Sequence, residues 1–587
     1  MSDSQAKRTL PRILISLLIT LVIGAVWFYI SLPALNLHNT GVYSFILILL
    51  LVYILVFMIT LGVDTGKQGI HLRDYLSFAK NQCKAVVIIV VALVVLFIVG
   101  QIISAPIFRS GSYRDLLEVE TGDFSTEIEQ VSYDEVPMLD ESSARRLGER
   151  KLGELSDMVS QFEISYDYTQ INYKSRPVRV ASLEYGDFFK WIINRKEGLP
   201  AYVTVDMVTQ EAQVVRLSGL GLDGMHYSPS EYFTRDLNRT LRFRYPTYMF
   251  SSAHLEVDEN GQPWWVCPRE TRTIGLFGGA DVIGAVLLNA CTGESVYYDI
   301  SEIPTWVDRV YSAELIQEQY DYHGIYVNGF INSLIGQKEV TVSTNGYNYL
   351  AMNDDVYMYT GITSVSSDES NIGFLLSNQR TKETTYYSAP GAIEESAMES
   401  AQGVVQDLGY TSTFPLLLNI GGQPTYFMSL KDGTDLVKMY AMVNVSQYQI
   451  VATGVTVAAC ESNYLSLLQQ HGIAVNVDKD SEIVIDQSNI TGTIAEIRTA
   501  VLDGNSWYYI RLDGSEVFYA IAASTDRNVV ILNVGDSITI QADPDGTGSI
   551  VNATAISTDG TIPEPAAAAP EAETEPATED VEEETTE

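Results

Sequence analysis

Residues 203–217 read VTVDMVTQEAQVVRL, residues 285–299 read AVLLNACTGESVYYD and residues 374–387 read FLLSNQRTKETTYY. Aligned on Thr209, Thr292 and Thr381, they place Asp206, Asn289 and Asn378 three residues earlier. Glu211, Glu294 and Glu383 fall two residues later. Each stretch is an apolar run, a polar turn and a second run rich in β-branched or aromatic residues. Asp and Asn start such turns because their side chains bond the backbone two residues on, and glycine, present as Gly293, tolerates positive φ. A hairpin that recurs along a chain marks a recurring supersecondary unit. The expectation is an α+β region built on antiparallel sheets.

Around these hairpins the text alternates between helix and strand. Residues 140–159 are expected as a helix, with Ala144, Leu147, Leu152, Leu155 and Val159 approximating an apolar stripe. Strand-like FEISYDYTQINY and VRVASLEY follow, then a short aromatic helix at 188–194. Residues 394–408 form a second helix candidate, with Ala397 and Ala401 four apart, running into two strands around Gly421 and Gly422.

The hairpin resembles the end of the PepSY domain, a small extracytoplasmic module whose last strands carry a D-x-x-T-G-E turn after a preceding helix. Asn289, Thr292, Gly293 and Glu294 match that turn with Asn in place of Asp. Asp206, Thr209 and Glu211 match with Gln210 in place of Gly, and Lys382 stands there in the third copy. The resemblance covers much of residues 140–455 as tandem, diverged copies, divided into a first region at 139–325 and a second at 326–472. It implies contact with exported proteins or restraint of a protease, since modules of that family occur with peptidases. The alternative is an unrelated α+β domain with ordinary hairpins.

A different texture occupies residues 473–558. Five apolar or alternating runs between 490 and 540 are separated by turns such as Asp503-Gly504-Asn505 and Asp513-Gly514, as expected of a small barrel. The G-T-I opening and V-G-D-S-I-T-I close resemble an OB-fold, which often binds oligonucleotides or sugars. Trp507, Tyr508, Tyr509, Phe518 and Tyr519 could supply a binding face, with Trp507 and Tyr509 as its candidate contacts. Residues 486–545 hold nine acidic and three basic side chains, which disfavours nucleic acid and favours a packed structural barrel. Residues 559–587 have almost no large apolar side chain and are expected to form a disordered acidic tail.

The whole chain of 587 residues has 74 acidic and 36 basic side chains, a net charge of −38 that argues against a nucleic-acid binder. Residues 1–110 run the other way, with eight basic and three acidic side chains. Apolar runs at 13–32, 42–63 and 85–107 are each long enough for a membrane helix of about 20 residues. The first could be a secretory signal, but signal cores span only about 7–15 residues and two further spans follow. Lys7, Arg8 and Arg12 precede the first span, residues 33–41 contain no Lys or Arg, and Lys67, Arg73, Lys80 and Lys84 fill the second connection. Positive residues stay cytoplasmic, so residues 1–12 are expected inside and everything after residue 107 outside. Residues 108–138 read as a juxtamembrane linker. With no Asp, Glu, Lys, Arg or His inside, the three spans read as an anchor rather than an ion pathway.

Chemistry is sparse. None of the six His stands at H-E-x-x-H or H-x-x-x-H spacing, and there is no G-x-S-x-G, phosphate loop or G-x-G-x-x-G after a strand. No catalytic residue, metal ligand or cofactor is assigned. Residues 543–548 resemble half of a calcium loop, but Thr554 stands where a bidentate Glu is required, so a β-turn is expected. Cys267 and Cys291 could pair outside the membrane, leaving Cys460 over. Ser228-Pro229-Ser230-Glu231 reads as a capping-box helix start. The helix after it would carry Arg235, Arg239 and Arg242 on one face, either docking an anionic partner or pairing with Glu231 and Asp236.

The composite reading is a multi-domain membrane protein with three N-terminal spans, an exported α+β region and a C-terminal barrel. Its expected role is a membrane-anchored binding or scaffolding protein of the cell envelope, with the lipid bilayer and another envelope or exported protein as partners. The alternative is an exported hydrolase acting on wall polymer, with Asp354 and Asp355 as its carboxylates.

Overall fold

Three helices long and apolar enough to cross a membrane open the chain, spanning Leu10–Ser31, Thr40–Thr60 and Lys84–Ser104. They belong to α1 (Asp3–Ser31), α2 (Thr40–Gly66) and α3 (Lys84–Ser104). Helix α1 packs on α2, and α2 on α3. Leu18, Leu21, Leu51, Leu55, Ile88 and Val91 face outward, as suits surfaces whose solvent is lipid. This computed structural model describes residues 3–66, 84–128, 136–352, 354–365, 370–473, 488–502, 505–515, 517–523, 527–542 and 550–557. The chain divides into two compact units, Met1–Asn476 and Val477–Glu587.

Within the first unit one motif recurs four times: a helix followed by five strands. The first copy comprises α5 (Glu141–Gly153) and β1 (Phe162–Ile164), β2 (Thr169–Asn172), β3 (Pro177–Tyr185), β4 (Ala201–Asp206) and β5 (Ala212–Arg216), with α4 (Pro106–Arg114) lying earlier in the chain. The short helix α6 (Phe188–Asn194) is inserted between β3 and β4. The second copy has α7 (Leu237–Arg244), β6 (Met249–Phe250), β7 (His254–Val257), β8 (Pro263–Ile274), β9 (Gly278–Asn289) and β10 (Ser295–Asp299). The third has α8 (Ala313–Ile325), β11 (Thr341–Ser343), β12 (Asn348–Met352), β13 (Asp355–Ser364), β14 (Ser370–Asn378) and β15 (Thr384–Ala392). The fourth has α9 (Glu394–Val404), β16 (Thr411–Ser412), β17 (Leu416–Ile420), β18 (Gln423–Lys431), β19 (Val437–Asn444) and β20 (Val451–Gly454), and α10 (Val457–Gln470) follows it. In every copy the first two strands lie end to end along the third, and the third, fourth and fifth form an antiparallel meander.

These sheets stack because their strands are apolar on both faces. Trp265, Cys267, Val286 and Leu288 of the second sheet pack toward the first. Their neighbours Val266, Ala285 and Leu287 pack with α8 and with Val356, Met358 and Leu375 of the third. Tyr359, Phe374 and Leu376 then meet Leu417, Tyr426, Met428 and Val443 of the fourth. The far face of that sheet, with Leu418, Phe427 and Met442, is closed by Tyr464 and Leu468 of α10. Side chains of this size contribute about 1.5–3 kcal/mol each when fully buried.

The hairpin turns read from the sequence join the fourth and fifth strands of copies one to three. Asp206 Oδ1 accepts from the Val208 and Thr209 amides, Asn289 Oδ1 from Cys291 and Thr292, and Asn378 Oδ1 from Arg380 and Thr381. The left-handed position is filled by Gln210, Gly293 and Lys382, at φ 61°, 75° and 67°. Replacing these Asp or Asn residues with Ala strands two amides each. Asn378→Ala is expected to cost about 2–3 kcal/mol because it also breaks a buried bond to Asp355. Asp206→Ala, at a half-buried site, should cost nearer about 1 kcal/mol. Denaturant unfolding of the purified chain measures both.

The structure departs from three expectations of the sequence. Helix α5 is capped by Asp140 but ends at Gly153 rather than near Val159. Asp157 is bonded to Arg216 on β5 at 2.9 Å, which holds the following segment against the sheet and leaves Val159 exposed. Residues 108–138 are no loose linker among the described positions. Residues 106–114 form α4, Glu120–Gly122 adds to β15 as a parallel strand, and Leu117, Phe124, Ile128 and Val136 are buried. Isolated apolar residues in acidic text gave no periodic signal. Cys267 and Cys291 are free thiols, as is Cys460. Cys267 lies opposite Val286 in the ladder while Cys291 sits in the turn beyond it, bonded by Gln262.

The second unit contains β21 (Ser488–Leu502), β22 (Asn505–Leu512), β23 (Phe518–Ala522), β24 (Ser537–Ala542) and β25 (Ile550–Ser557). Each strand bonds two others, so the pairing runs β21-β22-β23-β25-β24 and returns to β21. Only the β23–β25 pairing is parallel. Ile494, Ile510, Tyr519, Ile521, Ile538 and Ile540 fill its interior. Turn residues Asp503 and Gly504, the 543–548 loop and the 559–587 tail lie outside the described residues.

Candidate functional site

The arginine stripe is a joint to the membrane helices. Residues 233–235 form a 3-10 turn, and α7 begins only at Leu237 with Asp236 as its cap, so no capping-box helix starts at Ser228. Glu231 is buried instead, accepting from Tyr185 Oη at 2.8 Å and Trp191 Nε1 at 2.7 Å. Arg235 donates to the Arg195 carbonyl, and Arg239 to the carbonyls of Phe233 and Tyr29. Arg242 donates to the carbonyls of Leu32, at 2.9 Å, and Tyr248, at 2.6 Å. Cations at the carbonyl end of α1 satisfy groups that a helix terminus leaves open. Nearby, Ser104 Oγ accepts from the Leu276 and Phe277 amides, and the Phe277 ring lies 5.4 Å from Tyr43 and 5.3 Å from Phe97.

The hairpin turns also serve as structural joints. Gln210 donates to Tyr440 of the fourth copy, and Lys382 pairs with Asp281 of the second at 2.8 Å. Arg244 reaches the Gly293 carbonyl. Thr209, Thr292 and Thr381 at the tips are exposed, as are Glu211, Glu294 and Glu383. In the second unit Tyr508 and Ile510 turn toward the core, so Trp507 and Tyr509 lie on the opposite face of β22. Arg498 and Arg511 stack on Phe518 in the same sheet.

The site that the sequence does not reveal is a cleft of about 660 Å³ where copies one, three and four meet. Its walls carry Tyr168, Tyr347, Tyr349 and Phe414, and its charged groups are Arg145, Arg179 and Arg309 together with the carboxylates of Asp140, Glu141, Asp167 and Glu314. A second cleft of about 560 Å³, toward copy two, shares Asp167, Arg309 and Glu314 with it. Arg179 projects from β3 and is only 5% exposed. Its Nη1 donates to the Tyr168 carbonyl at 3.2 Å, while its Nε has no hydrogen-bond partner. Neither Arg179 nor Arg309 forms a salt bridge to a carboxylate among the described residues. Burial pushes the Arg179 pKa down. Burial also opposes the Arg309 charge, but Tyr349, Asp167 and Glu314 outweigh it and raise that pKa.

Two helix N-termini border the same space. Asp140 caps α5 and Ser312 caps α8, and each end favours negative charge. Burial raises the Asp140 carboxyl, yet its bonds to Lys431 and Ser143 prevail and hold it below its ordinary value. Beneath the cleft, buried Glu256 accepts from the Asp308 and Arg309 amides and lies 3.0 Å from His254 Nε2. Asp308 accepts from the Asn172 amide at 2.6 Å, and burial together with Glu256 pushes its carboxyl well up. This buried pair sets the backbone that presents Arg309. The Arg179 and Arg309 side chains can grip a carboxylate or phosphate, and the aromatic walls suit an apolar neighbour of that group.

Asp355 is buried. Arg380 holds both its oxygens, at 2.8 and 2.6 Å, and Asp354 sits in the turn before β13 at φ 63°. Among the described residues no three His, Cys, Asp or Glu side chains gather as metal ligands. Comparison with family models, curated proteins and solved structures finds no match for this chain.

Proposed function

We propose that the chain is a membrane-anchored extracytoplasmic binding protein whose cleft takes a carboxylate-bearing segment of an exported polypeptide. The observation that carries this reading is the buried, unpaired Arg179 beside Arg309 in an aromatic-walled cleft. A charge kept in that state at a cost to folding is a mark of binding rather than of structure. The orientation rests on Lys7, Arg8 and Arg12 lying inside. The β-rich copies then touch the outer face, through the 32–39 loop and the end of α3. A helix preceding antiparallel strands in each copy supports the PepSY-like reading. The β21-β22-β23-β25-β24 circuit with one parallel pairing supports an OB-like barrel.

The test places a photoreactive residue at Tyr347 in the full-length protein and crosslinks in intact cells. The expected result is an adduct with an exported polypeptide, absent when the photoreactive residue replaces exposed Val455 instead. Adding Arg309→Met should reduce the adduct at least about tenfold, since a charge-assisted contact is worth about 1.5–3 kcal/mol. Identical adducts from both positions, or indifference to Arg309, would overturn the reading.

A further inference from the structure

We infer that two exposed apolar patches, one at each end of the row of membrane helices, insert into the lipid interface and seat the β-rich region on the bilayer. This rests on surface geometry and is independent of the cleft. The first patch is α6, where Phe189 and Ile193 are 74% and 73% exposed. A chain of contacts leads from it to α1. Trp191 packs on Phe233 at 5.7 Å, Arg239 donates to the Phe233 carbonyl, and the same guanidinium lies 4.3 Å over the Tyr29 ring. Phe243, also exposed, packs against Phe28 and Tyr29.

The second patch follows α8. Ile331, Leu334 and Ile335 are exposed, Ile335 to 83%. Stacking of Tyr326 on Phe330 and an edge-to-face contact of Tyr113 with Tyr326 tie this segment to α4. Helix α4 begins two residues after α3 leaves the membrane and exposes Ile107 and Phe108 beside it. Large side chains exposed to water would cost about 1.5–3 kcal/mol each relative to burial. Both patches adjoin the level at which the helices emerge, so acyl chains are the solvent within reach. Arg195 and Lys196 give the first patch a basic flank of the kind found on interfacial segments, in a protein otherwise strongly acidic, while Lys190 pairs with Asp187 and Lys338 with Glu339.

Spin labels at Ile193→Cys and Ile335→Cys test this in the full-length protein, with Cys83→Ser removing a native thiol, in nanodiscs of phosphatidylcholine and phosphatidylglycerol. Accessibility to oxygen against a nickel chelate should place both labels about 5–10 Å below the head-group boundary. A label at Val455→Cys should report water. Labels at 193 and 335 that match the 455 label would overturn the inference. So would labels shielded from both reagents, which would indicate a protein contact instead.

Discussion

Replacing Arg179 with Met is expected to stabilise the protein and abolish its cleft binding at once. The guanidinium is almost fully buried, its Nε has no partner, and its one hydrogen bond goes to a neutral carbonyl. A charge so placed carries most of its desolvation penalty uncompensated. Met has similar length and can fill the same space between β2 and β4, so the variant should gain about 1–4 kcal/mol. The same change removes the deepest donor in the cleft, and the Tyr347 crosslink should fall to the level of the Val455 control. Melting curves of the purified protein and crosslink yields in cells read the two effects separately. A loss of stability instead would mean that the guanidinium holds the fold together, and the binding role would pass to Arg309 alone. Arg179→Lys separates charge from shape, since an ammonium keeps the charge but lacks the planar fork.

The periodic parts of this architecture were legible and the long-range parts were not. Three turns declared themselves because Asp206, Asn289 and Asn378 each precede a Thr by three residues and a Glu by five. The fourth copy escaped because its turn is one residue longer. Asn444 N donates to the Ile450 carbonyl and its Oδ1 accepts from Gln447, with no Thr or Glu in register. The basic stripe was visible, but its recipients are backbone carbonyls, some nearby and two, of Tyr29 and Leu32, 210 residues away, and carbonyls carry no sequence signature. Arg179 left one trace. It interrupts the apolar strand text VRVASLEY, and a charge inside a strand buried on both faces needs either a partner or a purpose. Arg309 left none, because the cleft forms only when copies one, three and four close on each other.

Asp355→Ala is expected to cost about 3–5 kcal/mol, because it leaves the Arg380 guanidinium and the Asn378 amide without their shared acceptor. Its consequences should reach the cleft. Asn378 holds the turn through its side chain, and the Gln379 carbonyl in that turn accepts from the Val310 and Tyr311 amides, next to Arg309. Loosening the turn therefore frees the segment that presents Arg309, and crosslinking at Tyr347 should weaken along with stability. Asp355→Asn retains one acceptor for Arg380 and should cost less than Ala. A paired Asp355→Leu and Arg380→Met variant, which removes both charges together, should recover most of the loss. A carboxylate that hydrolysed wall polymer would behave in the opposite way: its Asn variant would fold normally and lose turnover, and pairing it with Arg380→Met would restore nothing. Denaturant unfolding of these variants beside release of soluble wall fragments decides between the two. With both Asp355 oxygens held by a guanidinium at 2.8 and 2.6 Å and the residue buried, the carboxylate is committed to that ion pair and out of reach of a polymer, and the structural outcome is the one expected.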